Sequence, residues 1–319
     1  MPLPPDLAQG IEEFSAEVLP SELARGAAAL AGAYRETHRA RPQLDALHRA
    51  AYLVTRLPAT YAVLSRVLHD SKLRIPGLRV ASMLDLGAGP GTAMWAAAES
   101  FPELSRAVLI EDSAEWITMG RQLASKSHRE SIRAVEWRQG SVAGSLPSGS
   151  FDLVTLSYVL NELRPSERPE VLRAAWDRTD KLLIIAEPGT PAGFEHVRDL
   201  RRELIANGAH MVAPCPHAGE CPMHDGNWCH FATRVQRSSE HRAAKSAELA
   251  YEDEKYSYVV FAREPAQLPA GRILRHPQKH SGHVELELCT AKGVQRETVS
   301  RKQGQRYKVV RKVEWGDEW

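Results

Sequence analysis

The first 214 residues of this 319-residue chain contain no cysteine; the four that exist are Cys215, Cys221, Cys229 and Cys289. So few, placed so late, cannot form the disulfide framework of a small secreted domain, and they read instead as ligands or free thiols. No apolar run approaches the roughly 18–20 residues that span a bilayer, so no membrane partner is expected. Residues 1–10 lack a basic segment followed by an apolar one, which gives the expectation of a cytoplasmic protein. Internal repeats and long low-complexity tracts are also missing, and with them any solenoid or fibrous architecture. Net charge is nearly absent, at +1, but it is unevenly spread. Residues 271–311 carry ten Lys or Arg against three Glu, a local +7 that leaves the rest of the chain at −6. A basic terminal segment on an acidic body suits an anionic partner, nucleic acid first, although a solvated strand surface would give the same count.

What remains is an ordinary globular composition, 43% hydrophobic and 25% charged. Residues 1–77 read as helical: Leu23, Ala27, Leu30 and Tyr34 fall at helical spacing, as do Leu44, Leu47, Ala51 and Val54, with breaks or starts expected at Pro20 and Pro58. From residue 80 the pattern alternates. Strands are expected at 80–86, 107–110, 151–156 and 182–186, and helices at 92–100 and 114–125. That order implies an α/β fold, a parallel Rossmann-like sheet with helices on its faces. Residues 236–256 are charged and read as helical. Strand signals return at 256–262, 271–274, 283–289 and 307–313, enough for a small barrel-like β module. The expected divisions are 1–77 helical, 78–210 α/β domain, 211–262 cysteine-containing insertion with the last strands of the sheet, and 263–319 basic β module.

The chemistry concentrates in two places. The first is Asp85-Leu86-Gly87-Ala88-Gly89-Pro90-Gly91, between a strand and a helix. Glycines there let backbone approach a ligand, and the helix start offers free N–H groups. The pattern is D-x-G-x-G-P-G rather than the dinucleotide G-x-G-x-x-G, and Asp85 stands where it can meet the ammonium of a methionine moiety. About twenty residues on, the second strand ends in Glu111, with Asp112 as the near alternative, an acid able to accept ribose hydroxyls. Gly140 and Ser141 stand where an adenine edge lies, and Ser157 ends a strand running into the site. Together these resemble the class I S-adenosylmethionine-dependent methyltransferases over residues 78–190. A catalytic residue is not identifiable. The Asn-Pro-Pro-Tyr signature of amino-group methylation is replaced by Ser157-Tyr158-Val159-Leu160-Asn161-Glu162, and no cysteine lies nearby to attack a pyrimidine. Asn161 and Glu162 are candidate substrate contacts or simply an exposed helix start.

The second place is the run Cys215-x5-Cys221-x7-Cys229, joined sixty residues later by Cys289. Four thiolates can hold a tetrahedral zinc or a cubane iron–sulfur cluster. The loops are longer than a zinc finger's, which suits a larger object, but His217, His224 and His230 keep zinc open. With Glu187-Pro188-Gly189-Thr190-Pro191 and Trp228-Cys229-His230-Phe231, the chain resembles the ribosomal small-subunit methyltransferase-like family, whose mitochondrial members assist small-subunit assembly. The resemblance implies a [4Fe-4S] cluster on the four cysteines, bound S-adenosylmethionine, and small-subunit ribosomal RNA as partner to a protein monomeric off the ribosome. Arg272, Arg275, Lys279, Arg301, Lys302 and Arg306 are the candidate phosphate contacts. Three functions stay open: an RNA methyltransferase, a catalytically silent assembly factor, and a small-molecule methyltransferase with a zinc loop.

Overall fold

The computed structural model describes residues 2–35, 45–224 and 226–319. Leu44 lies outside the described residues. The chain forms two compact units, the first from residues 1–69, 79–183 and 233–254, the second from 70–78, 184–232 and 255–319. This differs from the four consecutive segments expected above: the N-terminal helices group with the first strands of the sheet, and residues 233–254 return to the first unit.

In the first unit, helices α1 (Pro5–Ala16), α2 (Pro20–Arg35) and most of α3 (Ala46–Arg74) precede the sheet. Pro20 opens α2 as its fixed φ favours, but α3 continues through Pro58 without a break. Leu53, Leu57, Tyr61, Leu64 and Leu68 repeat every three or four residues and are buried, and burial of that face holds the helix across the missing N–H. Next come β1 (Ser82–Leu86), α4 (Thr92–Ser100), β2 (Arg106–Glu111), α5 (Ala114–Ser125), the short α6 (Glu130–Arg133), β3 (Glu136–Gln139), β4 (Phe151–Ser157), α7 (Arg168–Asp177) and β5 (Thr179–Pro188). The strand order is β3-β2-β1-β4-β5. β1 pairs in parallel with both β2 and β4, and β2 in parallel with β3. This is the α/β, Rossmann-like sheet that the alternating pattern implied. β1 and β4 are buried over nearly their whole length, as strands covered by helices on both faces must be.

In the second unit, β5 is followed by α8 (Pro191–Ala206) and β6 (His210–Ala213); β7 (Phe231–Gln236) and β8 (Tyr251–Ala262), on either side of α9 (Ser239–Lys245) of the first unit, each divide between the two units. The order continues β5-β8-β6 with β7 beside β8, and β6 runs antiparallel to β8. The segment 236–256, read as helical, is therefore only helical over α9. A second sheet follows from β9 (Gly271–Ile273), β10 (Gln278–Lys279), β11 (His283–Thr290) and β12 (Gly293–Ser300). β12 covers one edge of β11, while β9 and β10 share the other. Val284, Leu286 and Leu288 alternate onto the buried face of β11 and pack with Ile273, Val299, Tyr307 and Val310.

The fourth strand expected here, 307–313, is a helix: α10 spans Gln305–Val310. Its Tyr-Lys-Val-Val sequence suggests a strand, but the buried positions are Tyr307 and Val310, three apart, and Val309 is exposed. A helix lying on a sheet, rather than a closed barrel, completes the β module. No helix among the described residues is long and apolar enough to cross a membrane.

Candidate functional site

The glycine loop follows β1 and opens α4. Gly87, Gly89 and Gly91 all have positive φ, at 78°, 53° and 85°. A side chain at Gly87 would collide with Val159, but nothing lies within 4 Å of a Cβ built on Gly89, which leaves open space for a ligand to approach that backbone. The loop is anchored below by the N–H groups of Gly87 and Ala88, which donate to the Ile110 carbonyl at 2.9 and 3.0 Å, and it is closed by the Gly91 N–H on the Ala88 carbonyl at 2.8 Å. Pro90 is buried within it.

Two buried acids flank this loop. Glu111 ends β2, accepting from the Gly89 N–H at 2.8 Å on one oxygen and from the Ser113 N–H at 3.0 Å on the other. Asp85 is in register with Thr155 of the neighbouring strand, and the Thr155 hydroxyl donates to Asp85 Oδ1 at 2.6 Å. Asp85 Oδ2 is buried with no hydrogen-bond partner among the described residues. Burial pushes the Asp85 carboxyl up to about 7, helped by the nearby Glu111 charge and opposed by the Thr155 hydroxyl. A buried acid with an open oxygen, beside a glycine loop with open space, fits the ammonium and ribose of S-adenosylmethionine.

Among the other expected contacts, Asp112 is exposed and its carbonyl accepts from the Gln139 side chain at 3.1 Å, so Glu111 rather than Asp112 is the acid turned into the loop. The Gly140 N–H donates to the Glu111 carbonyl at 3.0 Å, which places 140 beside the end of β2. Ser141 is exposed, and its hydroxyl accepts from the Ala143 N–H. Ser157 is half-buried at the end of β4. Asn161 and Glu162 are both exposed on a short 3-10 turn, after a Tyr158 that holds φ at 60°.

The second unit brings the four cysteines around one pocket, together with Met223 and His217. Three elements deliver them: the 213–231 segment carries Cys215, Cys221 and Cys229; β11 carries Cys289; and α8 supplies Phe194, Val197, Arg198 and Arg201 at the spacing of one helix face. Cys221, Cys229 and Cys289 pack in one apolar cluster with Met223 and Phe194. Burial raises every thiol it reaches: Cys229 well above its ordinary value, Cys289 to about 12, Cys221 upward, with neighbouring thiolates adding to each. Burial thus favours the neutral thiol at these three positions unless a positive centre joins them. Among the described residues no three of the sulfurs lie within 4.8 Å of one another. A single tetrahedral zinc would hold its sulfurs about 3.8 Å apart, from Zn–S bonds of about 2.3 Å. The four sulfurs line one pocket, and their spread is wider than one zinc ion requires.

The basic candidates divide. Arg272 is only 2% exposed, which removes it from any phosphate-binding surface. It donates to the carbonyls of Pro214 (2.9 Å) and Gly316, and pairs with Asp70 at 3.3 Å. A buried guanidinium needs that many acceptors. Arg275 donates to Asn227 and to the Leu274 and Trp228 carbonyls. Lys279, Arg301, Lys302 and Arg306 are exposed, and Arg306 pairs with Glu297 at 2.7 Å.

Sequence reasoning missed Thr155, whose role appears only once strand register is known. It also missed Trp137, whose ring fills the space above Gly91 and Gly120: a Cβ on Gly120 would meet that ring at 2.3 Å. In the Glu187–Pro191 motif, Gly189 passes so close to Lys255 that a Cβ would lie 2.7 Å from its carbonyl carbon, and its own carbonyl accepts from the Trp228 indole at 3.0 Å. A glycine between two prolines was the only available signal.

The family described as mitochondrial small ribosomal subunit Rsm22 matches residues 46–319. The human mitochondrial ribosome assembly protein METTL17 is 29% identical over 288 residues, covering 83% of this chain and 61% of that protein. The fission-yeast Rsm22-cox11 tandem protein 2 is 27% identical over 322 residues, covering 84% of this chain and 42% of that one. The chain thus spans about two fifths to three fifths of the length of these relatives. A trans-aconitate 2-methyltransferase of Azoarcus is 30% identical over 160 residues, 48% of this chain and 59% of that enzyme. Among solved structures, a magnesium protoporphyrin IX methyltransferase of Synechocystis aligns with a TM-score of 0.42 at 11% identity, over 65% of this chain and 80% of that one.

Proposed function

The chain belongs to the Rsm22 family, and from that premise we propose that it is an S-adenosylmethionine-binding, iron–sulfur protein acting with small-subunit ribosomal RNA in ribosome assembly. The observation that carries this is the extent of the family match. It runs over residues 46–319, through both units and all four cysteines, whereas the small-molecule methyltransferase relative covers less than half of the chain.

When bound, S-adenosylmethionine supplies an activated methyl group on a sulfonium. The chain's own residues hold the rest of the molecule. Asp85 Oδ2 takes the ammonium, Glu111 accepts from ribose hydroxyls, and Gly89 lets the backbone approach between them. Methyl transfer needs chiefly in-line positioning, so the lack of an identifiable catalytic residue is compatible with an RNA methyltransferase. The same lack favours a factor that uses the cofactor site for binding alone, and this is the second reading. In the other unit, Cys215, Cys221, Cys229 and Cys289 hold a [4Fe-4S] cluster that ties the 213–231 segment to β11. The placing of all four cysteines on one pocket supports this assignment, and their spread favours a cluster over one zinc.

The RNA contact falls to Lys279, Arg301 and Lys302, with Arg306 beside them. Such contacts position the protein on phosphate without reading sequence. The test is sedimentation and filter binding of the purified protein with small-subunit ribosomal RNA across a salt series. The combined variant Lys279→Gln, Arg301→Gln, Lys302→Gln is expected to bind at least tenfold more weakly. Its log–log salt slope should be shallower by about 2, from roughly 0.7 per phosphate contact on a single strand. An unchanged slope would remove this face from the interface, and no binding by the unaltered protein would remove RNA as the partner.

A further inference from the structure

We infer that Arg201 is the hydrogen-bond donor and fixed positive charge that sets the reduction potential of the group held by the four cysteines, an inference that rests on the cluster reading above. Arg201 projects from α8 on the same face as Phe194, Val197 and Arg198, and it lines the pocket with all four cysteines. It is 4% exposed, so its charge is not screened by solvent.

Its Nη2 donates to the carbonyls of His217 at 2.9 Å and Gly219 at 2.7 Å, both in the turn between Cys215 and Cys221. The guanidinium is thereby locked against the loop that carries two of the ligands. Its Nε–H is buried and has no acceptor among the described residues. Buried donors are rarely left unmatched. The pocket it lines holds all four cysteines, with His217 and Tyr258 as its other side-chain acceptors, and the acceptor assigned to this N–H is sulfur, from a ligand thiolate or a cluster sulfide. Four thiolates around a [4Fe-4S]2+ core carry a net −2, and one-electron reduction takes it to −3. A buried cation and an N–H to sulfur stabilise the more negative state, and so raise the potential.

The experiment is a mediated redox titration of anaerobically purified full chain, with iron and sulfide counted in each sample. Arg201→Gln removes the charge, and Arg201→Lys keeps a charge while removing the planar fork and its Nε–H. With iron content retained, the reduction equilibrium is expected to move at least tenfold toward the oxidised state in Arg201→Gln, about 59 mV for a one-electron couple, and by less in Arg201→Lys. If Arg201→Gln fails to hold iron, the lysine variant decides: a lowered potential at full iron content supports the assignment. A potential equal to that of the unaltered protein, at full iron content, overturns it and leaves Arg201 as a brace for the loop. Absence of iron from the unaltered protein is a different result, which refutes the cluster itself.

Discussion

Asp85→Asn is expected to bind S-adenosylmethionine ten- to a hundredfold more weakly than the unaltered chain at pH 8, while making the ligand-free protein more stable at the same pH. Both effects follow from one buried oxygen. Asp85 Oδ2 has no partner among the described residues, and the carboxyl is pushed up to about 7 by burial. An ionised Asp85 is therefore costly until a cation arrives. Losing a charged hydrogen bond to an ammonium corresponds to about 1.5–3 kcal/mol, which gives that loss of affinity. The stability effect follows from proton binding. The folded-state value lies above the ordinary 3.8, so the folded state binds more protons than the unfolded state between about pH 4 and 7. The contribution of Asp85 to stability falls as pH rises through that window and is lowest above 7. Asparagine cannot ionise, yet its oxygen still accepts from Thr155. The variant should gain on the order of 4 kcal/mol at pH 8, since each tenfold change in proton affinity is worth about 1.4 kcal/mol, and almost nothing below pH 4. Calorimetric binding at pH 6 and 8, with chemical denaturation at both, checks the pair. Affinity of the unaltered protein should rise with pH across 7, and that of the variant should not. Equal affinity of the two proteins would remove Asp85 from the cofactor site.

Cys289→Ser should lose most of the iron bound by the protein and lower its thermal midpoint by several degrees. Cys289 stands on β11, and the other three cysteines on the segment before β7. A group that joins them cross-links two stretches of the second unit, and ligand binding of that kind adds directly to folding free energy. Removing one of four ligands forfeits that contribution. Without a bound group the same change is a minor one, a buried thiol replaced by a slightly smaller hydroxyl, with a cost of about 1–2 kcal/mol. Cys229→Ser should behave alike, because its thiol packs in the same cluster. Iron content and melting point measured on the same samples separate the cases. Full iron with an unchanged midpoint would show that Cys289 is not a ligand.

The glycine loop was legible in the sequence because its requirements are local. Positive φ demands glycine at 87, 89 and 91, and a parallel sheet places an acid at the end of its second strand. The gathering of the four cysteines could be suspected from spacing, but the pocket wall from α8 could not, since Arg201 and Phe194 lie on that helix, with β6 between it and the first cysteine. Arg272 was misjudged for a related reason. Counting charges assigns a lone arginine to the surface, whereas its burial depends on Asp70, about two hundred residues earlier, and on carbonyls supplied by Pro214 and Gly316. Thr155 required strand register, and Trp137 required the packing of Gly91 and Gly120 around one ring. The residues 307–310 show the limit of composition: β-branched valines favour a strand, but burial of Tyr307 and Val310 together is satisfied only at helical spacing.

The cluster assignment is tested most directly by anaerobic purification of the full chain, with iron, acid-labile sulfide and zinc counted per molecule. About four irons and about four sulfides are expected, the content of one thiolate-held [4Fe-4S] cluster. One zinc without sulfide, or no metal at all, would contradict it.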